Sequence, residues 1–332
     1  MTSAPDKPKP RRRWWQYSLR TFFVLLTVFC VWFGWQVRRA AQQRHAVEAI
    51  HGSVIYDAPY GGGLHEQLLG FDFFHDVVRV DIYDPRSNDL TPLAQLSGLK
   101  TLNLFGVRIN DLRPLAGLTR LETLDLRRTP IVDVRSLAGL SSLQILYLDD
   151  TKVRDLRPLA ELSIRELQLS GTPVSDVSPL ARLTSLRGLD LASTQVRDVN
   201  PLAKLKRLQY LGLSNTPVSQ VSSFAQLRSL KVLNLSSTAV SDIVPLVQLA
   251  QLGSLNLEDT RISALPPMGG MTRIWSLNLN KTAVSDVTSL AELSSLEYLY
   301  IENTPITKEQ VKALQRALPN CKISWSPPDT SP

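Results

Sequence analysis

Residues 121–142 (LETLDLRRTPIVDVRSLAGLSS) are followed by residues 143–163 (LQILYLDDTKVRDLRPLAELS), which place leucines, a threonine and an aspartate at matching positions. Self-similarity at a short, fixed period is typical of repeat proteins. A unit of this length cannot bury its apolar face alone, so it must stack on its neighbours. The spacing therefore predicts a stack of repeats.

Two apolar columns extend the pattern over eleven units. The first column consists of Val80, Leu102, Leu124, Leu146, Leu167, Leu189, Leu211, Leu233, Leu255, Leu277 and Leu299. The second lies two places on and consists of Ile82, Leu104, Leu126, Leu148, Leu169, Leu191, Leu213, Leu235, Leu257, Leu279 and Ile301. Every step is 22 residues except one of 21, where a residue is missing at Ser163-Ile164. Because side chains alternate along a strand, both columns are expected to point into one core beneath a parallel sheet.

Two polar columns accompany the leucines. A threonine column (Thr129, Thr151 and their equivalents to Thr304) is predicted to bond the backbone of the adjacent turn, where a tight curve leaves groups unpaired. An aspartate column (Asp89, Asp111, Asp133 and their equivalents) precedes V/L-x-P-L-A and fits the N-cap of a short helical turn. A calcium-binding stack is the alternative for the aspartates, but Gln220 and Ala264 interrupt the column.

The averaged unit, L-x-x-L-x-L-x-x-T-x-V-x-D-V-x-P-L-A-x-L, resembles the 22-residue leucine-rich repeat of internalin-like proteins and of phosphatase-regulatory repeat subunits. The resemblance covers residues 77–304. It implies an α/β solenoid with a parallel β-sheet on the concave side and short helical or 3-10 turns on the convex side. The flanking segments also resemble those of bacterial single-span membrane-anchored repeat proteins.

An apolar segment precedes the repeats. Residues 21–37 (TFFVLLTVFCVWFGWQV) contain no charge and would span roughly 25 Å as a helix. Aromatic residues at both ends are typical of a membrane interface, so residues 17–37 are predicted to be one transmembrane helix in contact with the lipid bilayer. A cleaved signal peptide is the main alternative, although no small-residue cleavage site follows the segment. A buried helix of the folded domain is the third interpretation.

The remaining segments complete the predicted organisation. Residues 1–16 form a basic, proline-rich tail, and residues 38–76 form a juxtamembrane helix with an N-terminal cap, in which residues 52–75 are expected to be a loop and cap. A capping box begins at Thr307 within a C-terminal cap over residues 305–326, which is predicted to end in a helix and a last strand. Residues 327–332 are predicted to be a disordered tail.

The charge distribution argues against nucleic acid as a partner. The formal net charge is +7, but residues 1–44 hold nine of the 37 basic residues and one of the 30 acidic residues, which gives +8. The other 288 residues therefore carry a net charge of −1 and lack the basic surface expected of a nucleic-acid-binding protein. Six bases precede the apolar segment and three follow it, which favours a cytoplasmic N-terminus and an exported repeat domain.

No pattern of catalytic or metal-binding residues emerges from the sequence. The four histidines (His45, His51, His65 and His75) match no common ligand spacing, and Cys30 and Cys321 form no C-x-x-C pair. Gly61–Gly63 lacks the spacing and the lysine of a phosphate-binding loop. We therefore expect neither an enzyme nor a cofactor, and no small-molecule substrate is evident.

The outward positions of the strands are the candidate binding surface, because repeat proteins usually bind on the concave face. Tyrosine and arginine are over-represented at binding hot spots. The candidate partner-binding residues are Tyr83, Phe105, Arg127, Tyr147, Asp149, Tyr210, Tyr298 and Tyr300. The middle of the face is poorer in aromatic residues, and Asn234, Asn256 and Asn278 share one register that predicts an amide ladder.

Two functional classes follow from these features. The first is a membrane-anchored leucine-rich-repeat protein that binds a protein, or another macromolecule, through its concave face without catalysis. The second is a membrane-tethered regulatory subunit of a cytosolic enzyme such as a phosphatase, which requires the repeats to lie in the cytoplasm. An enzyme with an unrecognised site in residues 45–76 is the remaining alternative, although that insert is too small to supply its own core.

Overall fold

The computed structural model describes residues 19–50, 52–57, 68–86 and 88–328. The predicted tail over residues 1–16, Gly61–Gly63 and the final residues of the predicted C-terminal tail lie outside this part of the chain. The described residues form two compact units, one of residues 19–44 and 68–74 and one of residues 45–57 and 75–328. We describe each unit by itself.

A single helix, α1, extends without interruption from Leu19 to Ala49 (31 residues). The predicted boundary near residue 37 is therefore not a break in the helix. The exposed side chains of its apolar half include Phe22, Val28 and Trp32. Its length and composition are sufficient to cross a membrane, and none of its most apolar 18-residue window is buried in the structure.

Within the first unit, a short segment folds against the second half of the helix. Phe71 and Phe73 are buried, and the ring of Phe73 lies 5.5 Å from the ring of Phe33. The Asp72 carboxylate accepts hydrogen bonds from Gln43 Nε2 at 3.1 Å and from Arg44 Nε at 3.4 Å. Apolar and polar contacts thus fix this segment on α1.

The second unit is built on one sheet of thirteen strands that follow each other in chain order. The strands are β1 (Gly52–Tyr56), β2 (Val77–Ile82), β3 (Thr101–Asn103), β4 (Thr123–Asp125), β5 (Ile145–Tyr147), β6 (Glu166–Gln168), β7 (Gly188–Asp190), β8 (Tyr210–Gly212), β9 (Val232–Asn234), β10 (Ser254–Asn256), β11 (Ser276–Asn278), β12 (Tyr298–Glu302) and β13 (Lys322–Ser326). All neighbouring pairs from β2 to β13 are parallel. The eleven repeat strands predicted from the sequence are β2 to β12.

Strand β1 corrects one expectation. Residues 52–75 are predicted to be a loop and cap, but Gly52–Tyr56 pairs antiparallel with β2, with Ser53 opposite Asp81 and Ile55 opposite Arg79. The end of α1 contributes to the same cap, because Ala46 is buried in the solenoid core and Val47 packs against it. The first repeat is therefore covered by a reversed strand together with helical residues.

The two leucine columns form the core, as their spacing predicts. Every member is at most 3% exposed, and each aligns with its equivalents on adjacent strands. At about 25 cal/mol per Å² of apolar surface removed from water, burial of these side chains is the main contribution to stability. The repeat that lacks one residue at Ser163-Ile164 keeps this register, because Leu146 pairs directly with Leu167.

Short 3-10 turns connect nine of the ten successive pairs of repeat strands from β2 to β12. The exception lies between β10 and β11, where Met268 and Met271 are buried and a Cβ atom at Gly270 would lie 2.7 Å from the Val247 carbonyl oxygen. The aspartates do not occupy the N-cap position that the sequence predicts. The carboxylate of Asp111 accepts the N–H of Arg113 across the intervening cap residue Leu112, and the same geometry recurs at Asp133 and Asp155.

The threonine column also differs from its prediction. Each hydroxyl donates to the carbonyl three residues earlier in its own turn, as Thr194 does to Leu191 at 2.6 Å, rather than to the adjacent turn. The same bond joins Thr129 to Leu126 and Thr282 to Leu279. The threonines are at most 7% exposed, so each hydroxyl satisfies a carbonyl that water does not reach.

The residue directly before each of these threonines has a left-handed backbone. The φ values of these nine residues lie between 53° and 69°, and eight of the nine are not glycine: Arg128, Asp150, Ser193, Asn215, Ser237, Asp259, Lys281 and Asn303. The ninth is Gly171, and Gly106 has the same conformation at the equivalent place before Val107. This conformation is unfavourable for residues with a side chain, so the turn is maintained by the bonds on either side.

The C-terminal cap consists of helix α2 (Lys308–Ala317) and strand β13. A complete capping box opens the helix, because Gln310 N–H donates to the Thr307 hydroxyl and Thr307 N–H donates to Gln310 Oε1. Leu314 and Leu318 are buried against the last repeat. The predicted last strand is therefore present and pairs with β12.

Candidate functional site

The solvent-facing side of the sheet, which is the concave side in leucine-rich-repeat solenoids, carries a cluster centred on Arg127. Its guanidinium Cζ lies 5.5 Å from the centroid of the Phe105 ring and 4.9 Å from that of Tyr147. These residues follow or end three successive repeat strands, so the arginine is flanked by an aromatic ring on each side. We call Phe105, Asp125, Arg127 and Tyr147 the Arg127 cluster.

Asp125 holds the arginine in place. Its carboxylate accepts hydrogen bonds from Arg127 Nε at 3.0 Å and from Nη2, and it also accepts the Arg127 backbone N–H at 3.0 Å. Asp125 is 6% exposed, whereas 39% of the Arg127 side chain remains accessible. The hydrogen bonds that the guanidinium donates to Asp125 raise the pKa of Arg127. The result is a fixed cation with an accessible edge.

Asp149 lies beside this cluster. Its Oδ1 accepts the N–H of Ser170 from the next strand at 2.9 Å, while its Oδ2 is buried with no hydrogen-bond partner among the described residues. Burial raises the pKa of Asp149, and the negative charge of Asp190 raises it further. The positive charge of Arg127 lowers the pKa of Asp149. The positive charge of Arg127 thus offsets part of the negative charge of Asp149, whose Oδ2 has no hydrogen-bond partner among the described residues.

The other predicted binding residues do not join the cluster. Tyr83 belongs to the first repeat and is 60% exposed. Tyr210 lies in the middle of the sheet, where burial and the charge of Asp190 raise its pKa. Tyr298 packs edge-on against Trp275 at 6.2 Å and lies under the ammonium of Lys322 at 5.2 Å, while Tyr300 is 38% exposed on the same strand. The aromatic residues therefore form separate groups along the face.

Sequence reasoning missed three contributors to this face. Arg128 places its guanidinium Cζ 5.5 Å from the centroid of the Phe105 ring. Asp125, which also lies at an outward strand position, anchors Arg127 and is not among the predicted binding residues. Ile55 is 48% exposed on β1, opposite Arg79, and extends the surface beyond the first repeat. Only the pairing of acidic and basic residues two positions apart could have indicated Asp125.

The predicted amide ladder is wrong. Asn234 Oδ1 accepts the N–H of Ser236 in its own chain segment, and Asn256 and Asn278 bond the N–H two residues later in the same way. The same bond is made by Asn103 and Asp125. These side chains therefore close the end of each strand instead of bonding one another along the sheet.

No group of three or more potential metal ligands is present in the part of the chain that the structure describes. His75 Nδ1 lies 3.3 Å from Asp57 Oδ1, and His45 Nδ1 lies 3.9 Å from Glu48 Oε2. His51 and His65 lie outside the described residues. Cys321 is buried, which raises the pKa of its thiol, and Cys30 is exposed on α1.

Comparisons with known proteins agree with this architecture. A family model described as a leucine-rich repeat region matches residues 163–323, and one described as two copies of leucine-rich repeats matches residues 119–161. The internalin InlF of Listeria monocytogenes is similar in structure, with a TM-score of 0.66 and 26% identity over 76% of this chain and 84% of that chain. The chain is an internalin-like leucine-rich-repeat protein. A search of curated proteins gives no match.

Two further structures share the fold of this leucine-rich-repeat protein. The functional domain of InlJ from Listeria monocytogenes has a TM-score of 0.61 and 18% identity, covering 76% of this chain and 53% of that chain. The plant peptide hormone receptor RGFR1, solved in complex with RGF2, has a TM-score of 0.61 and 18% identity, covering 72% of this chain and 46% of that chain. Leucine-rich-repeat proteins are generally binding scaffolds and receptors rather than enzymes.

Proposed function

We propose that this leucine-rich-repeat protein is anchored in a membrane by α1 and binds a protein partner through the Arg127 cluster. The observation that carries the proposal is the position of Arg127, which is fixed by Asp125 and flanked by Phe105 and Tyr147. Arginine and tyrosine are enriched among the residues that dominate binding energies. The proposed function is binding alone, and it does not require that the partner be chemically altered.

Fixing Arg127 before binding favours affinity. An arginine side chain loses rotamer entropy when a partner immobilises it, at roughly 0.5–1.5 kcal/mol for each ordered side chain. Here the Asp125 carboxylate and the two rings already restrict the guanidinium. Phe105 adds an accessible apolar surface, since it is 38% exposed. The cluster therefore presents a preorganised cationic and aromatic surface to a protein carrying acidic and apolar side chains.

The anchoring role of α1 is supported by its surface and by its contacts. At about 1.5 Å per residue the helix is roughly 46 Å long, which exceeds a hydrocarbon core of about 30 Å. Phe33, in the apolar half, packs against Phe73. Cleavage of the apolar half as a signal peptide would remove Phe33 and expose the Phe73 ring, so retention of the helix is the favoured interpretation.

The partner is expected to become cross-linked to the Arg127 cluster in cells. A photo-crosslinking amino acid at Phe105 should capture it, whereas the same amino acid at Val244, which is 56% exposed on a turn between strands, should not. Arg127→Ala should then lower the affinity of the captured protein at least tenfold. Arg135→Ala is the matched control, because Arg135 is also exposed and paired with an aspartate two residues away.

Equal cross-linking from Phe105 and Val244, or an unchanged affinity of Arg127→Ala, would contradict the binding proposal. Sidedness is tested separately by protease treatment of intact cells, with permeabilised cells as the control. We propose a cytoplasmic N-terminus and an exported solenoid, so the solenoid should be cleaved without permeabilisation. Protection until permeabilisation would reverse this orientation and favour a membrane-tethered regulator of a cytosolic enzyme.

A further inference from the structure

A depression of about 510 Å³ lies on the same face of the sheet, over β6, β7 and β8. It begins next to the Arg127 cluster, since Gln168 on β6 is paired with Tyr147 on β5, and it extends into the middle of the face, which is poorer in aromatic side chains. Its lining combines two carboxylates, two carboxamides, one guanidinium and one phenol: Glu166, Asp190, Gln168, Gln209, Arg187 and Tyr210. A volume of this size is within the range of small-ligand sites.

Two glycines keep the depression open. A Cβ atom at Gly212 would lie 2.5 Å from Asp190 Oδ1 and 3.0 Å from the Tyr210 hydroxyl, so a larger residue would displace both side chains. Gly188 is different, because a Cβ there would meet nothing closer than Glu166 Cγ at 3.6 Å. Gly188 therefore contributes empty volume above the sheet without being required by the local backbone.

Most of the polar groups in the depression have no partner within the protein. Among the described residues, the side chains of Glu166, Gln168, Arg187 and Gln209 make no hydrogen bond or ion pair. Asp190 uses one oxygen to accept the N–H of Ala192 at 2.9 Å. Donors and acceptors are thus both available around one cavity.

We propose that this depression binds a neutral carbohydrate, with one or two pyranose rings above Gly188. Each sugar hydroxyl both donates and accepts hydrogen bonds, which matches a lining of carboxylates, carboxamides and a guanidinium. The planar end groups of these side chains can each bond two adjacent hydroxyls at once. The Tyr210 ring supplies an apolar surface for the C–H face of a pyranose and a polar hydroxyl at its edge.

Charged ligands fit this lining less well. A cationic side chain would leave the N–H donors of both carboxamides unused and would lie close to Arg187. An anionic ligand would approach Glu166 and Asp190, whose charges repel it. Burial, the charge of Asp190 and a hydrogen bond to the Asp190 carboxylate raise the pKa of Tyr210, so its hydroxyl stays protonated at neutral pH. A neutral ligand with many hydroxyls uses every group without these penalties.

The full chain in mild detergent is first screened against an array of neutral oligosaccharides built from hexoses and N-acetylhexosamines. The affinity of each oligosaccharide that binds is then measured by titration calorimetry. Gly188→Thr places a branched side chain in the depression on a strand that tolerates threonine. Ser254→Thr makes a similar change at the equivalent position of β10, away from the depression. Gln168→Ala removes one carboxamide without filling the cavity.

We expect at least one neutral oligosaccharide to bind, with affinity lowered at least tenfold by Gly188→Thr, lowered by Gln168→Ala and unchanged by Ser254→Thr. No binding at millimolar concentration, or equal binding by Gly188→Thr, would overturn the proposal. A lysine-rich peptide that binds in place of the oligosaccharides and is weakened by Glu166→Gln would also overturn it. These results are independent of Arg127→Ala, which tests the protein-binding cluster.

Discussion

Arg127 and Tyr147 lie on successive repeats, with the guanidinium Cζ 4.9 Å from the centroid of the tyrosine ring. This contact joins one repeat of the solenoid to the next. Asp125 completes it by bonding both the guanidinium and the backbone N–H of Arg127. Asp125 therefore stabilises the end of its strand and also fixes Arg127 beside Tyr147 on the surface available for binding.

Substitution of Asp125 should separate its two roles. Asp125→Ala removes the acceptor of the Arg127 N–H and should lower the free energy of unfolding by about 1–3 kcal/mol, measured by urea unfolding of the detergent-solubilised chain. Asp125→Asn should lower it less, because Asn103 and Asn234 accept the same backbone bond at equivalent positions. A larger loss with asparagine than with alanine would show that the backbone bond is not the main contribution.

The buried threonine column gives a second prediction. Thr194→Val removes the hydroxyl that donates to the Leu191 carbonyl and leaves that buried acceptor unsatisfied. The expected loss in the free energy of unfolding is about 1–3 kcal/mol. Thr194→Ser retains the hydroxyl and is the matched control, with a smaller loss in chemical unfolding. If valine were as stable as wild type, the threonine bond would have no net effect on stability.

The left-handed positions give a third prediction. Ser237 has a φ of 53°, and a β-branched residue is strongly disfavoured in this region. Ser237→Val should lower the free energy of unfolding by about 1–2 kcal/mol, whereas Ser237→Gly should be tolerated. Thermal unfolding of the two variants beside wild type measures the difference. Equal midpoints for valine and glycine would mean that the turn readily changes its conformation.

The aspartates before the 3-10 turns predict acid sensitivity. Hydrogen bonds from the Arg157 side chain and N–H lower the pKa of Asp155 from 3.8 to about 2. Since the folded-state pKa lies below the unfolded value, the stabilisation is complete above the unfolded pKa and is lost as the pH falls through the folded pKa. The pKa values of Asp111, Asp176 and Asp286 are lowered in the same direction.

Unfolding midpoints measured from pH 7 to pH 2 should therefore decrease mainly below about pH 4. Asp155→Asn should be less stable than wild type at pH 7, and the difference should shrink as the pH approaches 2. Glu161→Gln serves as a control, since Glu161 is an exposed partner of Arg182 and should have little effect at any pH. A difference between Asp155→Asn and wild type that stays constant with pH would argue against this titration.

The repeat could be predicted from the sequence because equivalent leucines occupy the same core position in every repeat. Leu124, Leu146 and Leu167 keep their register despite the missing residue, since the deletion falls between strands and not within one. The antiparallel pairing of β1 was not predicted, because its partner lies about 25 residues further on in a strand of opposite direction. Such pairing leaves no periodic signal in the sequence.

The candidate site was predictable only in part. The outward positions of Phe105, Arg127 and Tyr147 follow from strand alternation, but the contact between their side chains depends on rotamers that Asp125 selects. The left-handed residues were missed because Arg128 and Lys281 carry no local sign of that conformation, which glycine would have given. Similarly, the depression over β7 depends on an unoccupied volume above Gly188, and spacing alone does not show it.

A stack of nearly identical turns has an inherent tendency to continue growing, since each end resembles the surface that the next turn would cover. The reversed direction of β1 interrupts this continuity at the first end, because a parallel strand from another molecule would meet a hydrogen-bonding pattern unlike that of a repeat. At the last end, α2 packs beside β13 over the final turn. The two ends are thus unlike each other and unlike a repeat, which opposes head-to-tail polymerisation into filaments.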